Sequence, residues 1–299
     1  MSLLDWLQAA RVKTLGACLG PAMVASGLAM AGGGETSWGP FLCCGPAALL
    51  IQVGTNLVND ALDFQRGADT KERVGPRRLT QSGVVSPTAV HAAGVACLLA
   101  SLLFCLPAFI ARGPRLVILV LSCCVMGYAY TGGPLPLAYL GLGDLAVFLF
   151  FGIVATCGAK QVHQEGNLWG PDAVTAGAQV GLMAVNMLAV NNLRDAKTDV
   201  LAGKMTVPVR FGVGVGKAQV VAETALAYGL GWRWAAVGAT WAWAGPLATL
   251  PVALVLLWRV VSTTPSREWN GLLALAGLVH VLFCAALGIG LMTSSARLL

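Results

Sequence analysis

The sequence predicts an all-α, polytopic membrane protein built as a bundle of about nine transmembrane helices. Of its 299 residues, 57% are hydrophobic and only 11% are charged, and the mean hydropathy is +0.75. Soluble domains carry about 25% charged residues, so this chain lacks the polar surface that a soluble fold needs. Its long apolar stretches show no period-two alternation, which favours membrane helices over a β-barrel.

Nine apolar stretches are candidate spans, and we expect them to form a single domain over residues 1–299. A bilayer core of about 30 Å requires roughly 20 apolar residues per helix. The fifth and seventh stretches are shorter than that. The 37 glycines suit close helix–helix contact in lipid. The nine candidate spans are 14–31, 41–61, 88–111, 115–131, 142–160, 173–193, 217–231, 235–257 and 271–293.

The basic residues predict the orientation of the bundle. With nine spans, the N-terminus and the loops after spans two, four, six and eight carry 14 of the 19 Lys and Arg residues, counting Lys217 at the first position of span seven. Positive charge marks the cytoplasmic side, so the N-terminus and the two long charged loops, 62–87 and 194–216, are predicted to be cytoplasmic. This asymmetry accounts for the net charge of +6 without a nucleic-acid partner.

A cluster of Asn and Asp residues ends span two. Asn56, Asp60 and Asp63 have helical spacing that places them on one face. Carboxylates near the membrane interior normally face a polar cavity. Mg²⁺ takes one or two carboxylates and completes its shell with substrate phosphate and water, so this face is a candidate magnesium site. The neighbouring polar residues are Asn59, Asp69, Lys71, Arg73, Arg77 and Arg78.

A similar cluster ends span six, 135 residues further along the chain. Asn191 and Asp195 repeat the spacing of Asn56 and Asp60, and Asp199 follows one helical turn later. Two such clusters on one side of the membrane could hold two Mg²⁺ ions across a diphosphate, with basic residues pairing the other phosphate oxygens. The alternative is a pair of solvated loops with helix-capping Asn and Asp. The other polar residues here are Asn192, Arg194, Lys204 and Arg210.

Three further polar residues lie at or inside predicted spans. Tyr130 ends span four beside a Gly/Pro turn, and Asp144 begins span five. Each of these two residues could line a cavity. Otherwise Tyr130 belongs to a simple turn, and Asp144 is an acidic residue in the first turn of a helix. Glu223 lies inside span seven, where an acidic residue is a functional candidate.

These clusters resemble the UbiA superfamily of intramembrane prenyltransferases. Its two Asp-rich signatures would be Asn59-Asp60-x-x-Asp63 with Asp69, and Asp195-x-x-x-Asp199. The stretches 6–15, 54–83 and 191–212 are similar to the branch that acts on 1,4-dihydroxy-2-naphthoate. Two positions depart from that branch. Val12 stands in place of Pro, and 158–166 replaces a segment that is usually tyrosine-rich.

The resemblance implies helices around a central cavity that opens laterally to lipid, and it implies a reaction. A polyprenyl group passes from polyprenyl diphosphate to 1,4-dihydroxy-2-naphthoate with loss of CO₂ and diphosphate, giving demethylmenaquinone. The implied cofactor is Mg²⁺, and the implied location is the bacterial cytoplasmic (inner) membrane, in contact with lipid. The implied catalytic metal ligands are Asp60, Asp63, Asp195 and Asp199. The implied substrate-binding residues are Asn56, Asn59, Asp69, Lys71, Arg73, Arg77, Arg78, Gln81, Tyr130, Asp144, Asn191, Asn192, Arg194, Lys204 and Arg210.

Two other functions remain compatible with the sequence. The same chemistry could act on another acceptor, such as 4-hydroxybenzoate, homogentisate, a chlorophyllide or haem. A secondary transporter also has internal repeats and polar residues in broken helices, but it places its site near the membrane midplane. Here the acids lie at the ends of spans beside Arg-rich loops, which favours the prenyltransferase.

Overall fold

The computed structural model describes residues 3–33, 38–68, 74–76, 78–164 and 166–294. Every regular element in these ranges is helical, which confirms the predicted all-α class. Two elements are not α-helices, a 3₁₀ turn at Gly16–Leu19 and a π-helix at Val147–Val154. The α-helices are α1 (Leu3–Ala9), α2 (Val12–Leu15), α3 (Gly20–Ala31), α4 (Trp38–Gln65), α5 (Pro87–Phe104), α6 (Leu106–Arg112), α7 (Pro114–Ala129), α8 (Leu137–Leu140), α9 (Gly143–Ala146), α10 (Ala155–His163), α11 (Pro171–Leu201), α12 (Val207–Phe211), α13 (Val213–Gly229), α14 (Trp232–Ala236), α15 (Thr240–Leu247), α16 (Leu250–Ser262) and α17 (Trp269–Met292).

The predicted count of nine spans is not confirmed. Within the described ranges, five helical stretches are long and apolar enough to cross a membrane, and α15 with α16 makes a sixth if the pair is one span. These two helices are bent by 45° where Pro246 and Pro251 interrupt the backbone ladder. Helix α7 is apolar, but its 16 residues extend only about 24 Å. The five stretches are Leu42–Gln65, Pro87–Phe104, Gly143–His163, Pro171–Leu201 and Trp269–Met292.

Glycines bring several helices into backbone contact. A Cβ added at Gly54 of α4 would lie 2.8 Å from the carbonyl oxygen of Gly94 on α5. One added at Gly27 of α3 would lie 2.3 Å from the carbonyl oxygen of Gly288 on α17. No side chain fits at these crossings, and such small-residue contacts allow the close van der Waals packing that holds helices together in lipid.

Two apolar cores flank a polar cavity. One core is formed mainly by the four helices α4, α5, α6 and α7, and it includes Val58 and Leu98. The larger core joins α3 and α11 with α13, α16 and α17, and includes Met183 and Phe283. Between them lies a cavity of about 670 Å³, into which the polar ends of α4 and α11 project.

Candidate active site

Helices α4 and α11 bring the two predicted clusters to the same cavity. Asn56 and Asn59 line it from α4, and Asp195 and Asp199 line it from α11 beside Asn191 and Asn192. Sequence positions 135 residues apart therefore meet at one end of the bundle, as the repeat predicted. The four aspartates differ, however, in what their carboxylates contact.

Asp60 fastens the loop that follows α4. It is fully buried and is not among the residues that line the cavity. Its carboxylate accepts hydrogen bonds from the backbone N–H groups of Leu79, at 3.0 Å, and Thr80, at 3.3 Å, and from the Thr80 hydroxyl. Charged acceptors bind backbone N–H groups strongly, so Asp60 stabilises the 78–80 turn.

Asp63 joins the two charged loops. It is fully buried and accepts hydrogen bonds from the Tyr139 hydroxyl and from Lys204 Nζ, both at 2.8 Å. A nitrogen of Arg78 lies 3.7 Å away. Burial raises the pKa of Tyr139, and the Asp63 charge raises it further, so the Tyr139 hydroxyl keeps its proton. Asp63 is thus surrounded by donors and does not line the cavity.

Asp195 is held by its own neighbour in sequence. Arg194 donates to both carboxylate oxygens of Asp195, at 2.8 and 2.6 Å, and also to Asn191 Oδ1 at 2.8 Å. The guanidinium also donates to Asn270 Oδ1, at 2.9 Å, in the first turn of α17. This bidentate pairing fixes the carboxylate at the cavity wall. Asp199 lies one turn further along and also faces the cavity.

The cavity wall offers the hard oxygen donors that suit Mg²⁺. Asp195 and Asp199 supply carboxylates, and Asn59 Oδ1 is a buried acceptor without a hydrogen-bond partner. Such an orphaned acceptor fits a site completed by a cation. Within the described ranges no three His, Cys, Asp or Glu side chains lie close enough together to hold a metal by themselves.

The predicted phosphate-binding residues divide into three groups. Arg78 and Lys204 line the cavity, and both also lie near the buried Asp63 carboxylate behind its wall. Arg210 does not line it, because its guanidinium donates to the Leu140 carbonyl at 3.2 Å and packs against Gly141, whose φ of +75° permits that close turn. Gln81 is half-buried away from the cavity. The predicted residues Asp69, Lys71, Arg73 and Arg77 lie outside the described residues.

Several cavity residues were missed by the sequence reasoning. Arg11 lines the cavity with φ of +59°, a left-handed conformation that is rare for residues other than glycine and is typical of functional sites. Its only sequence signal was its place in the N-terminal stretch. Gln52 and Asn270 also line the cavity; no pattern marked either, because isolated amides are common helix residues.

An apolar crevice adjoins the polar cavity. Its wall comes mainly from α3, α4, α7 and the π-helix, which contributes Phe150 and Phe151. The two spaces share Thr55, Tyr130, Val147 and Phe151. π-helical turns within α-helical spans often occur at functional sites. The structure therefore places a cavity whose wall carries both carboxylates and basic side chains directly beside an apolar crevice.

Comparison with known proteins identifies the family. Residues 18–277 match the UbiA prenyltransferase family. The chain is 30% identical over 285 residues to 1,4-dihydroxy-2-naphthoate octaprenyltransferase of Mycobacterium leprae, covering 95% of each chain. It is 34% identical over 211 residues to the enzyme of the same name from Mycobacterium tuberculosis, covering 71% of each. The chain therefore belongs to the UbiA prenyltransferase family and is a membrane-embedded prenyltransferase.

The solved structures agree on the fold. A UbiA homologue from Archaeoglobus fulgidus, bound to GPP and Mg²⁺, superimposes with a TM-score of 0.68 at 16% identity. The match covers 97% of this chain and 99% of that chain. Because the sequence identity is only 16%, this structural similarity establishes the shared UbiA fold and nothing beyond it.

Proposed function

We propose that the protein transfers a polyprenyl group from polyprenyl diphosphate to 1,4-dihydroxy-2-naphthoate in a Mg²⁺-dependent reaction. The products would be demethylmenaquinol, which is the reduced form of demethylmenaquinone, with diphosphate and CO₂. The observation that carries this proposal is the continuity between the polar cavity and the apolar crevice, because the donor has one charged end and one long apolar end.

In this proposal the donor's diphosphate binds at the part of the cavity wall that carries Asp195, Asp199, Arg78 and Lys204. Asp195 and Asp199, with Asn59, would hold Mg²⁺, which when bound neutralises negative charge on the leaving diphosphate. Arg78 and Lys204 are placed to pair with phosphate oxygens. Asp60 and Asp63 are not assigned to the metal here, although the sequence predicted both as ligands: to bind Mg²⁺, Asp60 would have to release Thr80 and Asp63 would have to release Lys204.

In this proposal the prenyl chain begins in the crevice, beside Phe150 and Phe151. As the allylic C–O bond breaks, its electron pair leaves with the diphosphate, and a ring carbon forms the new bond to the allylic carbon. Loss of CO₂ then returns the electrons of the broken C–C bond to the ring. An apolar wall excludes water, which would otherwise capture the allylic cation.

The choice of acceptor rests on the relatives, which are named for 1,4-dihydroxy-2-naphthoate. We further propose that the whole chain, 1–299, is one domain in a bacterial cytoplasmic membrane, with the N-terminus and both Asp-bearing loops on the cytoplasmic side. The excess of Lys and Arg in those segments supports this orientation.

An acceptor panel tests the proposal. Purified protein in nanodiscs receives one polyprenyl diphosphate, Mg²⁺ and equimolar 1,4-dihydroxy-2-naphthoate, 4-hydroxybenzoate and homogentisate. We expect the prenylated naphthoquinol to dominate the lipid extract by mass spectrometry, and EDTA to abolish it. A dominant product from another acceptor would keep the transferase but refute the naphthoate. Counterflow of a labelled solute without prenyl transfer would favour a transporter.

A further inference from the structure

A chain of three polar side chains runs from the cavity wall to a buried acid: Asp144 and Gln219 are half-buried, and Glu223 is buried. Asp144, at the start of α9, lines the cavity. The Gln219 amide nitrogen, on α13, donates to Asp144 Oδ2 at 2.9 Å and to Glu223 Oε1 at 2.7 Å. Glu223 lies one turn further along α13 and is buried. One amide therefore bridges two carboxyl groups, one at the cavity and one behind it.

The Asp144 carboxyl is held on both oxygens. Gln219 binds one, and the Asn192 amide lies 3.4 Å from the other. Tyr130 lies on the same stretch of wall, where Gly143 leaves room for its ring. This patch lies where the cavity meets the apolar crevice, which shares Tyr130 with it. An acceptor ring placed here would meet the first carbon of a prenyl chain entering the crevice.

The unsatisfied atoms of this chain argue against a purely structural junction. Gln219 Oε1 and Glu223 Oε2 are buried and have no hydrogen-bond partner. Polar groups that only join helices in a membrane are normally fully paired, because an unpaired one is costly there. Buried acids in membrane helices are usually functional, and here one of them acts through an amide on a carboxyl at the cavity surface.

We propose that Asp144 accepts a hydrogen bond from the 4-hydroxyl group of the aromatic acceptor, and that Gln219 and Glu223 are positioning residues for it. This inference rests on the function proposed above. In 1,4-dihydroxy-2-naphthoate the 1-hydroxyl lies next to the carboxylate and bonds to it internally, so the 4-hydroxyl is the free donor. A carboxyl at this hydroxyl favours electron release into the ring and selects for hydroxylated rings. Sites built to bind a substrate hydroxyl strongly reject analogues that lack it.

The first experiment compares two ligands that differ by this hydroxyl. In the wild type and in Asp144→Ala, the KM for the dihydroxy substrate is compared with the inhibition constant for its analogue without the 4-hydroxyl, 1-hydroxy-2-naphthoate. We expect the wild type to prefer the dihydroxy compound by at least about tenfold, as one good hydrogen bond provides, and the preference to fall below about threefold in the variant.

The second experiment tests positioning. Gln219→Leu and Glu223→Leu should raise the KM for the naphthoate by about tenfold and leave the KM for the prenyl diphosphate unchanged. Glu223→Gln should recover most of this loss, because its amide oxygen can accept the same N–H. The matched control is Gln179→Leu. Gln179 is a buried glutamine that also makes two hydrogen bonds, with Ala227 and Trp234, and it does not line the cavity. The Gln179→Leu variant should reduce the folded yield without changing the KM for the naphthoate or for the prenyl diphosphate.

Different outcomes separate the two proposals. Product from the wild type with an unchanged preference in Asp144→Ala would overturn this inference alone. So would a parallel rise of both KM values in Gln219→Leu and Glu223→Leu. Failure of the wild type to prenylate the naphthoate would overturn the proposed function, and this inference with it.

Discussion

The two Asn/Asp clusters share the Asn-x-x-x-Asp spacing but have different surroundings. In the second cluster, Asp195 and Asp199 face the cavity. In the first, Asp60 and Asp63 are fully buried and bound to parts of the protein itself, the 78–80 turn and Lys204. Only the amides of the first cluster, Asn56 and Asn59, reach the cavity.

This difference indicates that two copies of a similar motif can have different roles in one protein. A carboxylate that accepts several donors behind the cavity wall organises loops, whereas a carboxylate in the wall borders the space that a cation would occupy. The first cluster fixes the loop that supplies Arg78, and through Asp63 it fixes Lys204 of the second loop. The second cluster places its two carboxylates, Asp195 and Asp199, in the cavity wall. The clusters are therefore complementary, and substitutions should separate structural effects from chemical ones.

The largest effect is expected at Asp199. Asp199→Asn should lower turnover by about 1,000-fold, because a lost metal-binding charge removes transition-state stabilisation of about 4 kcal/mol. Thermal unfolding in detergent should change little. Asp172→Asn is the matched control, since Asp172 is on the same helix but pairs with Arg233 away from the cavity. Full activity in Asp199→Asn would remove this residue from the site.

Asp60→Asn should act mainly on stability. The substitution places an amide N–H₂ or a neutral oxygen against the Leu79 and Thr80 donors, and should lower the free energy of unfolding by about 2 kcal/mol. Thr80→Val should lower it by about 1 kcal/mol with turnover per folded molecule retained. If Asp60→Asn instead abolished turnover without loss of stability, Asp60 would be a metal ligand, and the contrast between the clusters would disappear.

The Asp63–Lys204 pair should show energetic coupling between the two loops. A double-mutant cycle with Asp63→Asn and Lys204→Met should give a coupling free energy of about 1–2 kcal/mol, because both groups are largely buried. The free energy of unfolding of each of the four proteins is measured by thermal unfolding. Additive effects would show that the pair does not connect the loops.

The smallest effect concerns Tyr139. Tyr139→Phe removes one hydrogen bond to Asp63 and should cost about 1 kcal/mol. The pKa of Tyr139 is raised in the folded protein, so its contribution should be constant below the unfolded value of about 10 and should fall at higher pH, where only the unfolded state loses the proton. The stability difference between wild type and Tyr139→Phe should therefore shrink above about pH 10. A constant difference through about pH 11 would contradict this.

Composition and periodicity were sufficient to predict the helical class and the meeting of the two clusters. Long apolar stretches can satisfy their backbone only as helices, and the 135-residue repeat placed Asn56 and Asn191 at the same end of the bundle. The number of spans was harder to predict, because apolar length alone does not reveal a bend such as that between α15 and α16.

The separate roles within the clusters could not be predicted from spacing. Helical periodicity puts Asn56, Asp60 and Asp63 on one face, but the packing of the 78–80 turn decides which of them a cavity can reach. The bridge from Asp144 to Glu223 joins residues 79 positions apart in the sequence, and no motif connects them. Contacts between distant helices depend on the tertiary fold.

The most direct test follows the fate of the acceptor's carboxylate. The wild type is incubated in nanodiscs with Mg²⁺, a polyprenyl diphosphate and 1,4-dihydroxy-2-naphthoate labelled with ¹³C in the carboxylate. We predict a prenylated quinol without the label, ¹³CO₂ in equal amount, and neither in the presence of EDTA. A prenylated product that keeps the label, or formation of either product in EDTA, would contradict the proposed reaction.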